Sequence, residues 1–435
     1  NRIRSMIYER ALRSWRTYRA SGWLLHIDGK LQLTHAGGDL NPFGESIARN
    51  NSDVLFHIAG EEKDFVNKDH AFWPGETIEK TLVVCNDGLR GPVNGTLTWK
   101  IEGARVPGGS KQATIEQGGM LMEPLRFSAP SVAKKTSLKI TATFRTDDGK
   151  ISQSDAFAVQ VHPKPGKRGW DGPKVALIDS TGDTGPILEE LGIPFTLINQ
   201  DIIDRGQTIA GHGLIVIGRN SYPEAAQLIK DGFMMLEGAV EGGANVVCLS
   251  QMTREVMGLR VENFNNRYVF LRDASSPVLA GLDNADLRDW RGEAGEIPPY
   301  AGWDPASNWR EGRASKHGQW NRFQQLRNWH WSNKGMLATF CFAKPQFGNF
   351  RVLLDNGFDN LYTPLIEFRL GRGRILLSQL ELVPNFGKDP VATELLGRIL
   401  RHYGRAKADS LSPIACLGED GDRIALQQLR AASRP

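Results

Sequence analysis

The hydrophobic pattern of this chain changes its period, and that change constrains the fold more than any other sequence feature. From about Val54 to Val161, apolar and polar residues alternate with a period of two, as in half-buried strands. The run Leu138–Arg145 places Leu, Ile, Ala and Phe on one face and Lys, Thr, Thr and Arg on the other. No helix-period segment interrupts this stretch. About seven short strands, separated by turn signals, indicate an all-β immunoglobulin-like sandwich.

A second pattern follows a linker, His162–Gly169, whose prolines and glycines suit neither helix nor sheet. Apolar runs there alternate with helix-period segments, and continuous runs such as Leu214–Ile217 suit parallel strands covered on both faces. Strands are predicted at Lys174–Asp179, Phe195–Asn199, Leu214–Gly218, Asn245–Gln251 and Arg374–Leu380. Helices are predicted at Pro186–Leu191, Glu224–Val240 and Pro390–Tyr403. The sequence therefore predicts a doubly wound, flavodoxin-like α/β domain with an insertion at about 255–370.

The first residues have a helical period instead. Over residues 2–20, apolar side chains recur every three or four positions and define one helix face, made of Ile3, Ile7, Ala11, Trp15 and Tyr18. Gly22 ends this helix, and Trp23–Ile27 is a short apolar strand. Because one helix and one strand cannot bury each other, we expect their partner elements to lie before Asn1. The expected domains are 1–50, 51–164 and 165–405, with 406–435 as a tail or the start of a further segment.

Charge and composition exclude several classes of protein. The net charge is 53 − 49 = +4, but residues 1–22 alone carry six arginines and one glutamate, so the rest of the chain is nearly neutral. A nucleic-acid-binding protein needs a broad basic face, which argues against that class. No apolar run approaches the roughly 20 residues of a membrane-spanning helix, so no membrane association is expected. The four cysteines lie far apart, which excludes a disulfide-dense scaffold.

The chemical motifs are weak. The loop after the first predicted α/β strand, Asp179–Pro186, carries glycines but matches no nucleotide-binding pattern, and its aspartates would repel a phosphate. Cys248 lies between Val247 and Leu249, whereas a nucleophile elbow needs small neighbours. His317 and His330 lack the spacing of metal ligands, so neither a metal nor a cofactor is expected. Glu293 and Glu296 could form a carboxylate pair for glycoside hydrolysis or be solvated loop residues.

Three blocks together resemble parts of large family-2-type, β-galactosidase-like glycoside hydrolases. The block Glu9–Arg19, followed by Gly22–His26, resembles the penultimate helix and last strand of their TIM barrel. The block Ile58–Asp87 resembles the entry to their β-sandwich. The block Lys344–Arg374 resembles the end of a glutamine-amidotransferase-like domain that such enzymes carry without amidotransferase activity. Residues 406–435 fall outside the resemblance.

The resemblance implies that this chain is the C-terminal portion of such a hydrolase, acting on a plant or algal poly- or oligosaccharide. Both catalytic glutamates would then lie upstream of Asn1, on a barrel of the same or another polypeptide, so no catalytic residue is assigned and the chain alone should be inactive. His26, near the end of the eighth barrel strand, would be a sugar contact or a barrel-lining histidine. Carbohydrate and possible further copies of the chain are the implied partners. Secretion or a periplasmic location would suit such an enzyme, but the compartment stays open.

The tryptophans of the insertion support a second hypothesis. Six of the eleven lie between Trp290 and Trp331, and Trp303, Trp309 and Trp329 are candidate sugar-stacking residues. They could equally pack the insertion against the rest of the chain. The alternative is therefore a carbohydrate-binding or assembly protein without its own catalysis. A third hypothesis is an amidohydrolase or amidotransferase that uses Cys248 as its nucleophile.

Overall fold

The computed structural model describes residues 2–20, 33–35, 37–166, 169–199, 201, 208–230, 235–294, 334–356 and 361–405. These residues form two compact units, which divide between Lys164 and Pro165. The molecule is a multidomain, β-rich protein. Each unit has its own hydrophobic core.

The first unit is a β-sandwich preceded by two helices, α1 (Arg2–Thr17) and α2 (Pro42–Asn50). Its strands are β1 (Val54–Ala59), β2 (Ala71–Phe72), β3 (Thr77–Asn86), β4 (Val93–Glu102), β5 (Gly109–Ile115), β6 (Gly119–Ser128), β7 (Thr136–Thr146) and β8 (Ser152–Val161). One sheet has the order β1-β3-β6 and the other the order β2-β8-β7-β4-β5. Leu138, Ile140 and Phe144 of β7 are fully buried between the sheets, so the predicted alternation is confirmed there.

Helix α1 does not bury the face that its sequence predicts. The side chains of Leu12, Arg13, Ser14 and Thr17 are buried, whereas Ile7 is 38% exposed and Tyr18 is 58% exposed. There are two reasons: Leu12 packs against Phe43 and Ile47 of α2, and the sandwich offers acidic partners to the arginines of α1, as described below. The predicted barrel strand at residues 23–27 lies outside the described residues.

The second unit contains a central sheet of eight strands. Five of them are parallel: β10 (Phe195–Leu197), β9 (Val175–Ile178), β11 (Leu214–Ile217), β12 (Asn245–Cys248) and β22 (Gly373–Ser378), in that spatial order. Numbered along the chain, these strands have the order 2-1-3-4-5, which is typical of flavodoxin-like sheets. Strands β21 (Leu365–Leu370), β19 (Phe350–Asn356) and β15 (Val269–Leu271) extend the sheet in antiparallel fashion. They fall within the predicted insertion, yet they belong to the central sheet.

The remaining elements of this unit are short helices and two small sheets. The helices are α3 (Gly185–Glu190), α4 (Tyr222–Lys230), α5 (Leu236–Glu241), α6 (Leu382–Asn385) and α7 (Pro390–Arg405), with a 3₁₀ turn at Pro277–Leu279. One small sheet contains β13 (Glu255–Val256), β14 (Leu259–Asn266), β18 (Ala338–Ala343) and β20 (Tyr362–Thr363); the other contains β16 (Trp290–Glu293) and β17 (Lys334–Gly335). The single helix predicted at Glu224–Val240 is represented by α4 and α5.

Candidate functional site

The four residues predicted to contact sugar, His26, Trp303, Trp309 and Trp329, all lie outside the described residues. Their roles therefore stay predictions. The structure does describe Trp290, which is fully buried and donates its indole N–H to the carbonyl oxygen of Asp286 at 2.9 Å. At this position, packing is the role that the structure supports.

Open α/β sheets bind ligands at the carboxyl ends of their parallel strands, at the switch point where the strand order reverses direction. In this sheet the switch point lies between β9 and β11. Asp179 follows β9 there. One oxygen of its carboxylate, Oδ2, accepts hydrogen bonds from the backbone N–H groups of Thr184, at 3.0 Å, and Gly185, at 2.8 Å. The donors at the start of α3 are thus directed at a carboxylate of the chain itself, which does not suit phosphate binding.

The loop after β11 contributes Arg219 to the same edge of the sheet. Arg219 donates from Nε to Oδ2 of Asp183 at 2.6 Å, and the hydroxyl of Thr181 donates to Oδ1 of Asp183 at 2.7 Å. Gly218 has no room for a side chain, because a Cβ would lie 2.8 Å from Oγ1 of Thr184. These groups satisfy one another across the switch point. The arrangement is a closed polar network, and it gives no support to nucleotide binding.

Cys248 ends β12 at the same edge, and its environment does not suit a nucleophile. The side chain is fully buried, and burial raises the pKa of the thiol. A nucleophilic cysteine needs an exposed thiolate at neutral pH. The hypothesis of an amidohydrolase or amidotransferase that uses Cys248 is therefore not supported by this structure.

The junction between α1 and the sandwich is the most elaborate polar site of the first unit. Buried Arg13 lies 3.0 Å from Asp155 of β8 and 3.2 Å from Glu9, and its Nε donates to Oδ1 of Asn50 at 2.9 Å. Asp155 also accepts the backbone N–H of Ile58 in β1 at 2.9 Å. This one carboxylate therefore links α1 to strands of both sheets.

Two further arginines attach the end of α1 to loops of the sandwich. Arg16 donates from Nε to Oδ2 of Asp87 at 2.7 Å and from Nη1 to the carbonyl oxygen of Ser52 at 2.7 Å. Arg19 donates to the carbonyl oxygen of Gly118. Arg13 and Arg16 lie in the last two turns of α1, and Arg19 lies two residues beyond the end of the helix. They fix the orientation of the helix on the sandwich.

His57 of β1 lies beneath the same helix. The hydroxyl of Thr17 donates to the carbonyl oxygen of Arg13 at 2.8 Å, so Nε2 of His57, 3.2 Å from that hydroxyl, acts as the donor to it. Burial, reinforced by the positive charges of Arg13 and Lys68, lowers the pKa of His57 well below its usual value. The imidazole is therefore neutral at physiological pH, and Arg13 and Arg16 carry the positive charge of the junction.

The face of α1 that points away from these contacts is only partly covered. Ile7 is 38% exposed, and Tyr18, 58% exposed, makes an edge-on ring contact with Phe65 at a centroid distance of 4.5 Å. Other apolar side chains of α1 are covered, because Leu12 is fully buried against Phe43 and Ile47 of α2, and Trp15 packs against the same cluster. The exposed apolar surface of α1 is therefore limited to side chains such as Ile7 and Tyr18.

No group of three or more His, Cys, Asp or Glu side chains within the described ranges could hold a metal ion. In the part of the chain that the structure describes, no helix has both the length and the apolar character needed to cross a membrane.

Comparisons with known proteins give only distant similarities. No protein-family model and no curated protein matches the chain. A CARDB domain from Pyrococcus furiosus is 14% identical over 25% of this chain and 87% of its own, with a TM-score of 0.20. Red sea bream transglutaminase is 12% identical over 30% of this chain and 20% of its own, with a TM-score of 0.19.

A family 123 glycoside hydrolase from Clostridium perfringens is 11% identical over 46% of this chain and 48% of its own, with a TM-score of 0.20. The chain thus spans about half the length of that enzyme. At TM-scores of 0.20 or below, none of the three similarities defines the fold or the activity of this chain.

Proposed function

We propose that this chain is the non-catalytic, C-terminal portion of a β-galactosidase-like glycoside hydrolase. In this proposal, α1 is a helix of a (β/α)₈ barrel, the sandwich carries that helix, and the second unit is an amidotransferase-like domain without amidotransferase activity. The catalytic carboxylates belong to the barrel, upstream of Asn1 or on another polypeptide. The substrate is a plant or algal poly- or oligosaccharide.

The attachment of α1 is the observation that carries this proposal. A surface helix of a self-contained domain turns its apolar stripe toward the core. Helix α1 packs Leu12 against Phe43 and Ile47 of α2 and turns buried Arg13 toward the sandwich, while Ile7 stays 38% exposed. This geometry suits a helix that is fixed on the sandwich by charge and on α2 by Leu12, and whose exposed Ile7 is free to pack against a further layer of structure, such as a barrel.

The second unit supports a role in assembly or substrate shaping. Cys248 is buried and holds its proton, and the polar groups at the switch point bond to one another. Neither feature provides an acid, base or nucleophile for turnover. A domain of this kind can contribute a surface or a wall to a site whose chemistry lies elsewhere.

Hydrolysis of 4-nitrophenyl glycosides by the purified chain tests the proposal. We expect no release of nitrophenol from β-galactoside, β-glucoside or α-arabinofuranoside substrates, with a known β-galactosidase as the positive control. Glu293→Gln is the informative variant, because Glu293 belongs to the carboxylate pair that the sequence offers. Turnover by the parent chain that is lost in Glu293→Gln would contradict the proposal.

A further inference from the structure

A groove of about 670 Å³ lies on the sandwich, over strands β4, β7 and β8. This volume is within the range of ligand-binding clefts, about 300–1,000 Å³. Its lining includes Arg49, Thr98, Lys100, Thr141, Thr143 and Ser154. None of the features described above uses this groove as a binding site.

The floor of the groove consists of two rows of side chains that cross the three strands. In one row, Thr98 of β4 pairs with Thr143 of β7, which pairs with Ser154 of β8. The hydroxyls of Thr143 and Ser154 lie 2.7 Å apart. These side chains alternate with the buried core residues of β4 and β7, so they lie on the outer face of the sheet. One row thus presents three adjacent hydroxyl groups.

The second row contains a hydroxyl that lacks a partner. Lys100 pairs with Thr141, and Thr141 pairs with Ala156, whose methyl group leaves space at the β8 end. Oγ1 of Thr141 is buried and has no hydrogen-bond partner within the described residues. Because this oxygen has almost no accessible surface, a ligand reaches it only when the Thr141 side chain rotates toward the groove.

Two cations flank these hydroxyls. Arg49, at the end of α2, donates to the carbonyl oxygen of Ser154 at 2.6 Å, and its side chain is 39% exposed. The side chain of Lys100 is 67% exposed, and its surface ion pair with Glu102 is of the weak kind that a ligand can replace. Asp155 also lines the groove, and its carboxylate is shared by Arg13, the Ile58 N–H and, at 3.7 Å, Arg49, so an acidic ligand would have to compete with Asp155 for Arg49.

We propose that this groove binds an anionic saccharide, with Arg49 and Lys100 holding its acidic groups and the row of Thr98, Thr143 and Ser154 hydrogen-bonding its ring hydroxyls. Three neighbouring strands span about 10 Å, which accommodates a short oligosaccharide segment. The acidic groups are carboxylates or sulfates, which the groove would bind by the same contacts. The ligand class rests on the proposed function, but binding at the groove does not require a barrel.

Affinity electrophoresis of the full chain in gels containing polygalacturonate, a sulfated galactan or neutral agarose tests this inference. We expect retardation by at least one of the acidic polymers and none by agarose. Arg49→Gln and Lys100→Gln should each raise the dissociation constant by about tenfold, as for the loss of one charge-assisted hydrogen bond. The control, Arg126→Gln, removes an arginine of the other sheet that is about as exposed as Lys100, and it should leave binding unchanged.

Lys100→Gln should not disturb folding, because the Lys100 side chain is exposed and contributes little to the fold. A loss of binding in this variant would therefore report on the groove. Circular dichroism of each variant provides the check. Absence of retardation by both acidic polymers would overturn the inference, as would equal weakening in Arg126→Gln or equal retardation by single-stranded DNA. Nitrophenyl glycoside turnover is measured separately, so failure of the groove and failure of the proposed function are distinguishable.

Discussion

At the scale of single residues, Asp389 shows how burial and hydrogen bonding compete for a proton. It precedes α7, where Oδ1 accepts the backbone N–H groups of Val391 at 2.8 Å and Ala392 at 3.0 Å. Oδ2 accepts the N–H of Arg291 at 2.9 Å. These donors favour the carboxylate, but complete burial outweighs them and raises the pKa of Asp389 to about 7.

This pKa predicts a specific pH dependence. The pKa of Asp389 is about 7 in the folded chain and has its usual value of 3.8 in the unfolded chain. Between pH 3.8 and pH 7, Asp389 therefore keeps its proton in the folded chain and releases it on unfolding. The contribution of Asp389 to stability is therefore complete below pH 3.8 and is lost as the pH rises toward 7. In Asp389→Asn, which cannot titrate, the urea midpoint should depend less on pH between 4 and 7 than in the parent.

The comparison with the parent isolates Asp389, because the neutral His57 contributes its own pH dependence equally to both proteins. Urea unfolding at pH 4, 5, 6 and 7, followed by circular dichroism, provides the measurement. Parallel profiles for Asp389→Asn and the parent would show that Asp389 is already ionised in the folded chain.

At the scale of elements, the attachment of α1 depends on a buried charge pair. Asp155→Asn keeps the shape of the side chain but leaves Arg13 buried with only the partly exposed Glu9 as its counter-charge, and breaking a buried pair costs up to about 3–5 kcal/mol. Glu79→Gln breaks the Arg126 pair on the surface, and such pairs contribute under about 1 kcal/mol. The free energy of opening, measured by hydrogen exchange of the amides of α1 and β8, should therefore fall much more in Asp155→Asn. Equal losses in the two variants would contradict the attachment described here.

The sequence predicted elements better than their contacts. The alternation in β7 and the apolar run of β11 reflect local burial, and the structure confirms both elements close to the predicted residues. The buried face of α1 could not be predicted in the same way. Arg13 is buried because of Asp155, which lies 142 residues further along the chain, and no local pattern encodes that pairing.

Lys80, in a strand, is a second buried charge whose partners no local sequence pattern reveals. It lies on the same face of β3 as buried Ile78 and Leu82, as the period of two along the strand requires. Its burial is possible because Nζ donates to the carbonyl oxygen of Asp69 at 2.7 Å and lies 4.7 Å from the ring centre of Phe157. The hydrophobic period finds the strand, whereas the partners that stabilise a charge inside it come from distant loops and strands.

At the scale of the whole molecule, the sequence distinguished an all-β region from a region of parallel strands and helices. It did not assign β15, β19 and β21 to the central sheet. Parallel strands are recognised by the helices that alternate with them, whereas these antiparallel strands lack that alternation and resemble the strands of an insertion. The groove on the sandwich was also missed. Its hydroxyl groups come from three threonines and one serine on three strands, and only the register of the strands brings them together.

The central claim is that α1 belongs to a barrel supplied by residues upstream of this chain. The intact mass of the native polypeptide, measured by mass spectrometry after capture with an antibody against this chain, tests it most directly. A (β/α)₈ barrel has about 250 residues, so the account predicts a mass well above 48.2 kDa. A native polypeptide of 48.2 kDa, with no barrel subunit captured alongside it, would contradict the account.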